Sequence, residues 1–213
     1  DGANVALRTF CGPLGDGDGY LDGRDREIAG PATGLVFPKG IAAADGYLFV
    51  ANNGANAIAV FGAGASGDVP PIATTALAAN PWDLAYDAAS DRLFVALVNG
   101  TVAVVDDYVD SGFTNGVART ITPADTGGNK ISTNLHGIAY HADTDRLVVS
   151  DVGITTVDLS ADFAADGAIY VISGASSADG MVEPDRVLEG PATQLGNPVD
   201  LVLDGADARI AEK

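Results

Sequence analysis

The 213-residue chain has one cysteine, one methionine, one tryptophan and two histidines. Its single thiol, Cys11 in Phe10-Cys11-Gly12-Pro13, closes no intramolecular disulfide, and no CxxC or CxxCH pair offers a metal cluster or a haem attachment. Cys11 reads as a buried spectator thiol, or as half of a disulfide to chain outside this sequence. Lysine is nearly as scarce, with only Lys39, Lys130 and Lys213. The 11 bases face 29 acids, for a net charge of −18. Such a balance disfavours nucleic acid, whose phosphates require the Lys and Arg clusters missing here. No run approaches the roughly 18 consecutive apolar residues of a membrane-spanning helix, so no transmembrane segment is expected. The chain opens on Asp1-Gly2 without a basic start or an apolar stretch, so an exported protein would already have shed its signal. Long helical periodicity is missing too, because glycine and proline punctuate the sequence at short intervals. An all-β chain is the expectation.

What is present is a repeat. Pro38-Lys39-Gly40-Ile41-Ala42 is echoed by Pro81-Trp82-Asp83-Leu84-Ala85, by Leu135-His136-Gly137-Ile138-Ala139 and by Pro198-Val199-Asp200-Leu201-Val202. A second apolar run follows each: Tyr47 to Ala51, Leu93 to Ala96, Leu147 to Ser150, and a shorter one at Ile210-Ala211. In the first copy Asp45-Gly46 supplies a hairpin signal between the two runs. Third and fourth strands are expected at Ala57 to Phe61 and Ile72 to Leu77. Four short strands in about 45 residues describe one blade of a β-propeller. Units therefore start near 38, 81, 135 and 198, and residues 1–29 hold a strand and a turn-rich segment of a preceding blade. Asp25-Arg26, Gly30-Pro31-Ala32-Thr33 and Pro38 reappear, each 160 residues on, as Asp185-Arg186, Gly190-Pro191-Ala192-Thr193 and Pro198. The last copy reads about two residues short near 210. The expected fold is a β-propeller of four-stranded antiparallel blades, about four of them complete or partial in this chain.

The strings Gly19 with Asp22-Gly23, Pro38 to Ala42, Leu48 to Asn52 and Asn56 to Phe61 resemble NHL-repeat and YVTN-type propellers of bacteria. The resemblance covers most of the chain; the first unit is the nearest to the pattern, and the second departs from it with Leu97 where the first has Asn52. It implies rings of six to eight blades, and hence more chain or further subunits than the units counted here. It implies no single chemistry, because the family includes binding modules, lyases and lactonases.

On a propeller, residues just before each innermost strand converge at the mouth of the central channel. The repeat register names them: Lys39, Trp82, His136 and Val199, then Gly40, Asp83, Gly137 and Asp200. Asp83, His136 and Asp200 are candidate ligands for a divalent metal, with Asn52 and Asp151 as further oxygens. The opposing interpretation is that the two aspartates cap turns and His136 bonds a backbone carbonyl. His141 falls in a hairpin turn, and no closely spaced ligand pair is present. Trp82 is a stacking surface or a packing residue. A separate loop carries Asp16, Asp18 and Asp22, whose alternation suits calcium. Aligned on Gly19 as the glycine of an EF-hand loop, however, it places Leu14 where the first ligand belongs. No G-x-S-x-G, Cys-His pairing or P-loop spacing occurs.

A repeat scaffold without a catalytic constellation points first to a non-catalytic protein. It would bind a protein partner or join an assembly in the periplasm or at the bacterial cell surface, with no cofactor. The insertions Asp106 to Gly116 and Ile154 to Asp166 are expected to build the contact surface, since function gathers on loops of rigid scaffolds. The alternative is a metal-dependent lyase or lactonase-type hydrolase at the channel mouth; calcium at Asp16, Asp18 and Asp22 is a third possibility.

Overall fold

The computed structural model describes residues 5–9, 25–154, 166–205 and 207–212. These form strands joined by turns and three short 3-10 segments, with no α-helix among the described residues. Cys11, Asp16, Asp18 and Asp22, and the 154–166 insertion beyond its ends, lie outside the described residues.

Three consecutive antiparallel sheets make up the body. The first contains β3 (Pro38–Ala44), β4 (Tyr47–Asn52), β5 (Ala57–Gly62) and β6 (Ala73–Ala76), in that spatial order. The second contains β7 (Pro81–Asp87), β8 (Arg92–Leu97), β9 (Thr101–Asp106) and β10 (Arg119–Pro123). The third contains β11 (Leu135–His141), β12 (Arg146–Asp151), β13 (Ala168–Ser173) and β15 (Arg186–Glu189). Between the last two in sequence, β14 (Gly180–Val182) crosses to the second sheet and adds a parallel fifth strand beside β10. Two pairs flank the body: β1 (Ala6–Thr9) with β2 (Arg26–Ala29), and β16 (Pro198–Asp204) with β17 (Asp207–Glu212).

The sheets stack face to face, so apolar layers alternate with sheets. One layer joins β1–β2 to the first sheet through Ile28, Leu35, Val50 and Phe61. The next, with Phe49, Ile58, Leu93 and Tyr108, fills the space between the first and second sheets. Phe94, Ile121, Leu147 and Tyr170 fill the following one, and Val148, Ile169 and Leu201 seat β16–β17 on the third sheet. A strand sandwiched on both faces needs apolar residues at successive positions rather than alternating ones. Leu93-Phe94-Val95-Ala96-Leu97 is accordingly buried throughout.

The first strands β3, β7, β11 and β16 lie side by side along the stack. Each breaks register with its partner at the same step: between Pro38 and Ile41, Pro81 and Asp83, Leu135 and Ile138, and Pro198 and Asp200. The expected shortfall near residue 210 is corrected by this register. Pro38 pairs with Asn52 and Pro198 with Glu212, the same separation in both, so β17 is full length. The sequence pattern looked short because β17 begins with Asp207-Ala208-Arg209, two charged residues around a small one, on an exposed edge.

The 160-residue repeat holds at the level of individual hydrogen bonds. The Thr33 hydroxyl donates to Gly30 O at 2.7 Å and accepts from Leu35 N at 3.2 Å; Thr193 makes the same two bonds with Gly190 and Leu195 at the same distances.

A stacked lysine, tryptophan and histidine at the start of the inner strands

The bulges fall on the residues that the repeat register singled out. Trp82 and His136, from neighbouring first strands, stack with ring centroids 3.5 Å apart and planes 5° from parallel. The Lys39 ammonium sits 4.6 Å from the Trp82 ring centroid, in cation–π range. Lys39, Trp82 and His136 thus form one stack across three sheets. Lys39 is exposed, Trp82 half-buried and His136 buried. Val199, next in register, is half-buried.

One residue further on, glycine alternates with aspartate, and the alternation is steric. A methyl group at Gly40 would overlap the Asp83 carboxylate, and one at Gly137 would lie 2.8 Å from Asp200 Cα. Asp83 turns to the other side as well, accepting from Ile138 N at 3.4 Å. Burial is the main reason that its carboxyl is pushed up to about 6; the Asp200 charge adds to this, while amides of Leu84 and Ile138 oppose it. Asp200 is exposed and accepts from its own neighbour, Leu201 N, at 2.8 Å. Among the described residues, no group of three or more His, Cys, Asp or Glu is placed to hold a metal ion.

Asn52 and Asp151, expected to lend oxygens to a channel metal, are engaged elsewhere. Asn52 fastens the segment entering β3, accepting from Val36 N at 2.7 Å and donating to Gly34 O at 2.9 Å. Asp151 fastens the segment entering β11, accepting from Thr133 N, the Thr133 hydroxyl, Asn134 N and Gly153 N at 2.6–3.0 Å. Glu212 does the same before β16 through Gly196 N and Asn197 N. The last residue of the second strand is a loop tether in three of the four units. In the second unit Leu97 is buried instead.

The tether at Asn52 holds an apolar step beside the stack. Val36 and Phe37 immediately precede Pro38 and are 41% and 56% exposed. Phe37 adopts a φ of 48°, a left-handed conformation that costs a non-glycine residue about 1 kcal/mol. Gly54 N donates to Val36 O at 2.8 Å, and a side chain at Gly54 would collide with Val36. The segment is held from both sides.

A second device recurs at the hairpins. Asp91 and Asp145 adopt left-handed turns and accept the hydroxyls of Tyr86 and Tyr140 at 2.7 and 2.9 Å. Asp91 then takes Val109 N and Asp110 N, and Asp145 takes Ser176 N and its hydroxyl. Burial pulls the Asp145 carboxyl upward, but these hydrogen bonds outweigh it and hold the group below its ordinary range. Burial, with the same carboxylate, pushes the Tyr140 hydroxyl up to about 12. The Tyr-x4-Asp spacing at 86/91 and 140/145 was the available sequence signal for this clamp. His141 bonds the Thr144 hydroxyl at 3.0 Å in the corresponding turn.

The aromatic side chains of the insertion Asp106 to Gly116 turn inward. Tyr108 is buried and shares a hydrogen bond with Thr75 at 2.8 Å, and Phe113 packs edge-on against Tyr47 and Tyr108. Its aromatics complete the layer between the first and second sheets, and only its polar rim faces outward.

No protein-family model and no curated protein matches the sequence. Among solved structures, the chain is similar to a functionally unknown protein from Desulfotomaculum acetoxidans DSM 771. The TM-score is 0.51 at 15% identity, over 88% of this chain and 49% of that one. It also overlaps Kuenenia stuttgartiensis hydrazine synthase, with a TM-score of 0.47 at 18% identity, over 75% of this chain and 44% of that one. The first likeness bears on fold alone, and the second carries no argument. The chain spans about half the length of either structure.

Proposed function

We propose that the chain is part of a bacterial β-propeller of the NHL or YVTN type, exported to the periplasm or cell surface, that binds a protein partner without catalysis. Side-by-side first strands and face-to-face sheets support the propeller reading. The observation that carries the binding reading is the tethered step of Val36 and Phe37 beside the Lys39, Trp82 and His136 stack. A large apolar side chain held exposed in a strained conformation has a cost that contact with a partner offsets. Trp82 adds aromatic character of the kind enriched at interfaces.

The test places a photoreactive amino acid at Phe37 and, as control, at exposed Val187, in the producing cell. A discrete protein adduct from position 37 and none from 187 supports the reading. Equal labelling from both, or none from 37, refutes it. With the photoreactive amino acid moved to Val36, Phe37→Gly should abolish the adduct while leaving the melting temperature equal or higher, since glycine accepts the positive φ.

One observation favours a second reading, a divalent-ion site used by a lyase or hydrolase. Asp83 and Asp200 lie near enough for one charge to raise the other's proton affinity, and a cation would relieve that repulsion. Metal analysis of purified protein, before and after Asp83→Asn, tests it. A stoichiometric ion lost in the variant supports the reading, and a metal content that Asp83→Asn leaves unchanged removes it.

A further inference from the structure

We infer that Asn115 is a modification site: the Gly116 nitrogen displaces its side-chain amide, and the carboxylate that results unlatches the insertion that Asn115 closes. The inference is independent of both functional readings.

Asparagine followed by glycine is the step most open to this reaction, because glycine leaves the attacking backbone nitrogen unshielded and its chain free to turn. The sequence has three such steps, Asn53-Gly54, Asn99-Gly100 and Asn115-Gly116. The fold protects two of them. Gly54 N donates to Val36 O at 2.8 Å, and Gly100 N donates to Leu97 O at 3.0 Å. Both glycines are also hemmed in: a Cβ at Gly54 would stand 2.5 Å from Val36 Cγ1, and one at Gly100 would stand 2.6 Å from Ser132 O. Their asparagines are committed as well. Asn53 Nδ2 donates to Pro81 O at 2.9 Å, and Asn99 Oδ1 accepts from Thr101 N and the Thr101 hydroxyl at 3.2 and 2.8 Å.

Gly116 differs on each count. It is exposed, its N–H has no hydrogen-bond partner among the described residues, and nothing lies within 4 Å of where a Cβ would stand. Asn115 is exposed too and lies outside any strand. Its side chain makes one bond among the described residues, from Nδ2 to Asp106 O at 2.9 Å.

The reaction consumes only water. Gly116 N gives its proton to hydroxide and bonds to Asn115 Cγ; the Cγ–Nδ2 bond breaks, and the amide takes up a proton and leaves as ammonia. Water then opens the five-membered imide at either carbonyl. The product is aspartate, or isoaspartate with the backbone running through Cγ. In sum, an amide and a water become a carboxylic acid and ammonia.

The amide that leaves is the latch. Asn115 Nδ2 on Asp106 O joins the two ends of the insertion, and Asn115 N on the Ser111 hydroxyl at 3.3 Å holds its returning half. A carboxylate has no hydrogen to donate, and its charge would face the Asp106 carbonyl oxygen. The leading half is held separately, by Val109 N and Asp110 N on the Asp91 carboxylate. Tyr108 is also kept by its bond to Thr75. Loss of the latch therefore frees the returning half alone, with Phe113 and its edge-on contacts to Tyr47 and Tyr108. The outcome is a slow, one-way uncovering of the apolar layer between the first and second sheets.

The test incubates the purified 213-residue chain at pH 8 and 37 °C and follows the three asparagine peptides by mass spectrometry. Asn115 should gain about one mass unit about tenfold faster than Asn53 or Asn99, with product that an isoaspartyl methyltransferase labels. In urea, where the fold protects none of them, the three rates should converge. Gly116→Ala meets neither a neighbour nor a positive φ, so it should slow the conversion while leaving Tm unchanged. Phe113 N donates to Tyr108 O at 2.9 Å. Hydrogen exchange there should rise about tenfold after conversion, and equally in fresh Asn115→Asp, while Val109 and Asp110 keep the parent's rates. Equal conversion of all three steps in the folded chain, or an Asn115 that outlasts the other two, overturns the site. Exchange at Phe113 that neither conversion nor Asn115→Asp alters overturns the latch.

Discussion

Asp83→Asn separates the cost of a buried charge from the loss of its hydrogen bonds. The Asp83 carboxyl titrates at about 6 in the fold against an ordinary value of 3.8. Between those values the folded protein holds a proton that the unfolded chain has released, so stability falls as pH rises from about 4 to about 6. Above that window the penalty is fully present. Two units correspond to about 3 kcal/mol, and partial exposure of the group brings the expected figure nearer about 2 kcal/mol. Asparagine keeps an oxygen for Ile138 N and carries no charge for Asp200 to repel. The variant should be more stable than the parent by about 2 kcal/mol at pH 7.5, or roughly 4–8 °C in Tm for a chain of this size. At pH 4 the two should melt together. Paired thermal melts across pH 4 to 8 measure the difference, and carbon-detected NMR of the Asp83 carboxyl gives its titration directly. A variant less stable than the parent at pH 7.5, an offset independent of pH, or a carboxyl titrating below 4.5 would refute the reasoning.

Gly137→Ala puts a methyl group 2.8 Å from the Asp200 backbone, where no flexible side chain can yield; a loss of about 1–3 kcal/mol is expected, read by urea denaturation. Asp91→Ala strands the Tyr86 hydroxyl and two amides of the 106–116 segment. It should cost about 3 kcal/mol and raise hydrogen exchange at Val109 and Asp110 above that of β8; unchanged exchange there would show that the clamp holds nothing. Burial lifts the Asp106 carboxyl, but Arg119 and Arg92 outweigh it and lower the group. Its contribution is present above the unfolded value near 4 and lost as pH falls below it. Arg119→Ala should therefore flatten the acid limb of the stability profile below pH 4 and leave its slope between pH 6 and 8 alone.

The sheets were legible because their strands obey one strong rule. A strand buried on both faces needs an unbroken apolar run, and Leu48-Phe49-Val50 and Leu93-Phe94-Val95 announce it. The meeting of Lys39, Trp82 and His136 was legible for a related reason, since equivalent positions in copied units converge. Their stacking was not, because sequence register fixes which residues meet and not which faces they turn. β14 escaped notice because three residues, Gly180-Met181-Val182, carry no period, and its parallel pairing depends on where β10 lies. The fate of the 106–116 insertion turned on Tyr108 and Phe113, aromatics in a glycine-rich loop that had to be covered by Tyr47 and Phe49. Asn52 and Asp151 looked like ligands from their side chains alone; only the placement of the preceding loops shows their oxygens committed to amides. The raised proton affinity of Asp83 depends on its depth in the fold and on Asp200, far away in the chain.

The alternation of Gly40, Asp83, Gly137 and Asp200 along the inner strands has an arithmetic consequence. Each glycine clears space for the aspartate after it, and Asp83 reaches across to an amide on the glycine-bearing strand that follows. The smallest unit that can be copied intact is thus a pair of sheets, not one. Lineages that gain or lose a single sheet by unequal duplication would set two aspartates or two glycines side by side, a crowded, doubly charged seam or a hollow one. Growth by pairs avoids both, so any ring closed by this step has even parity.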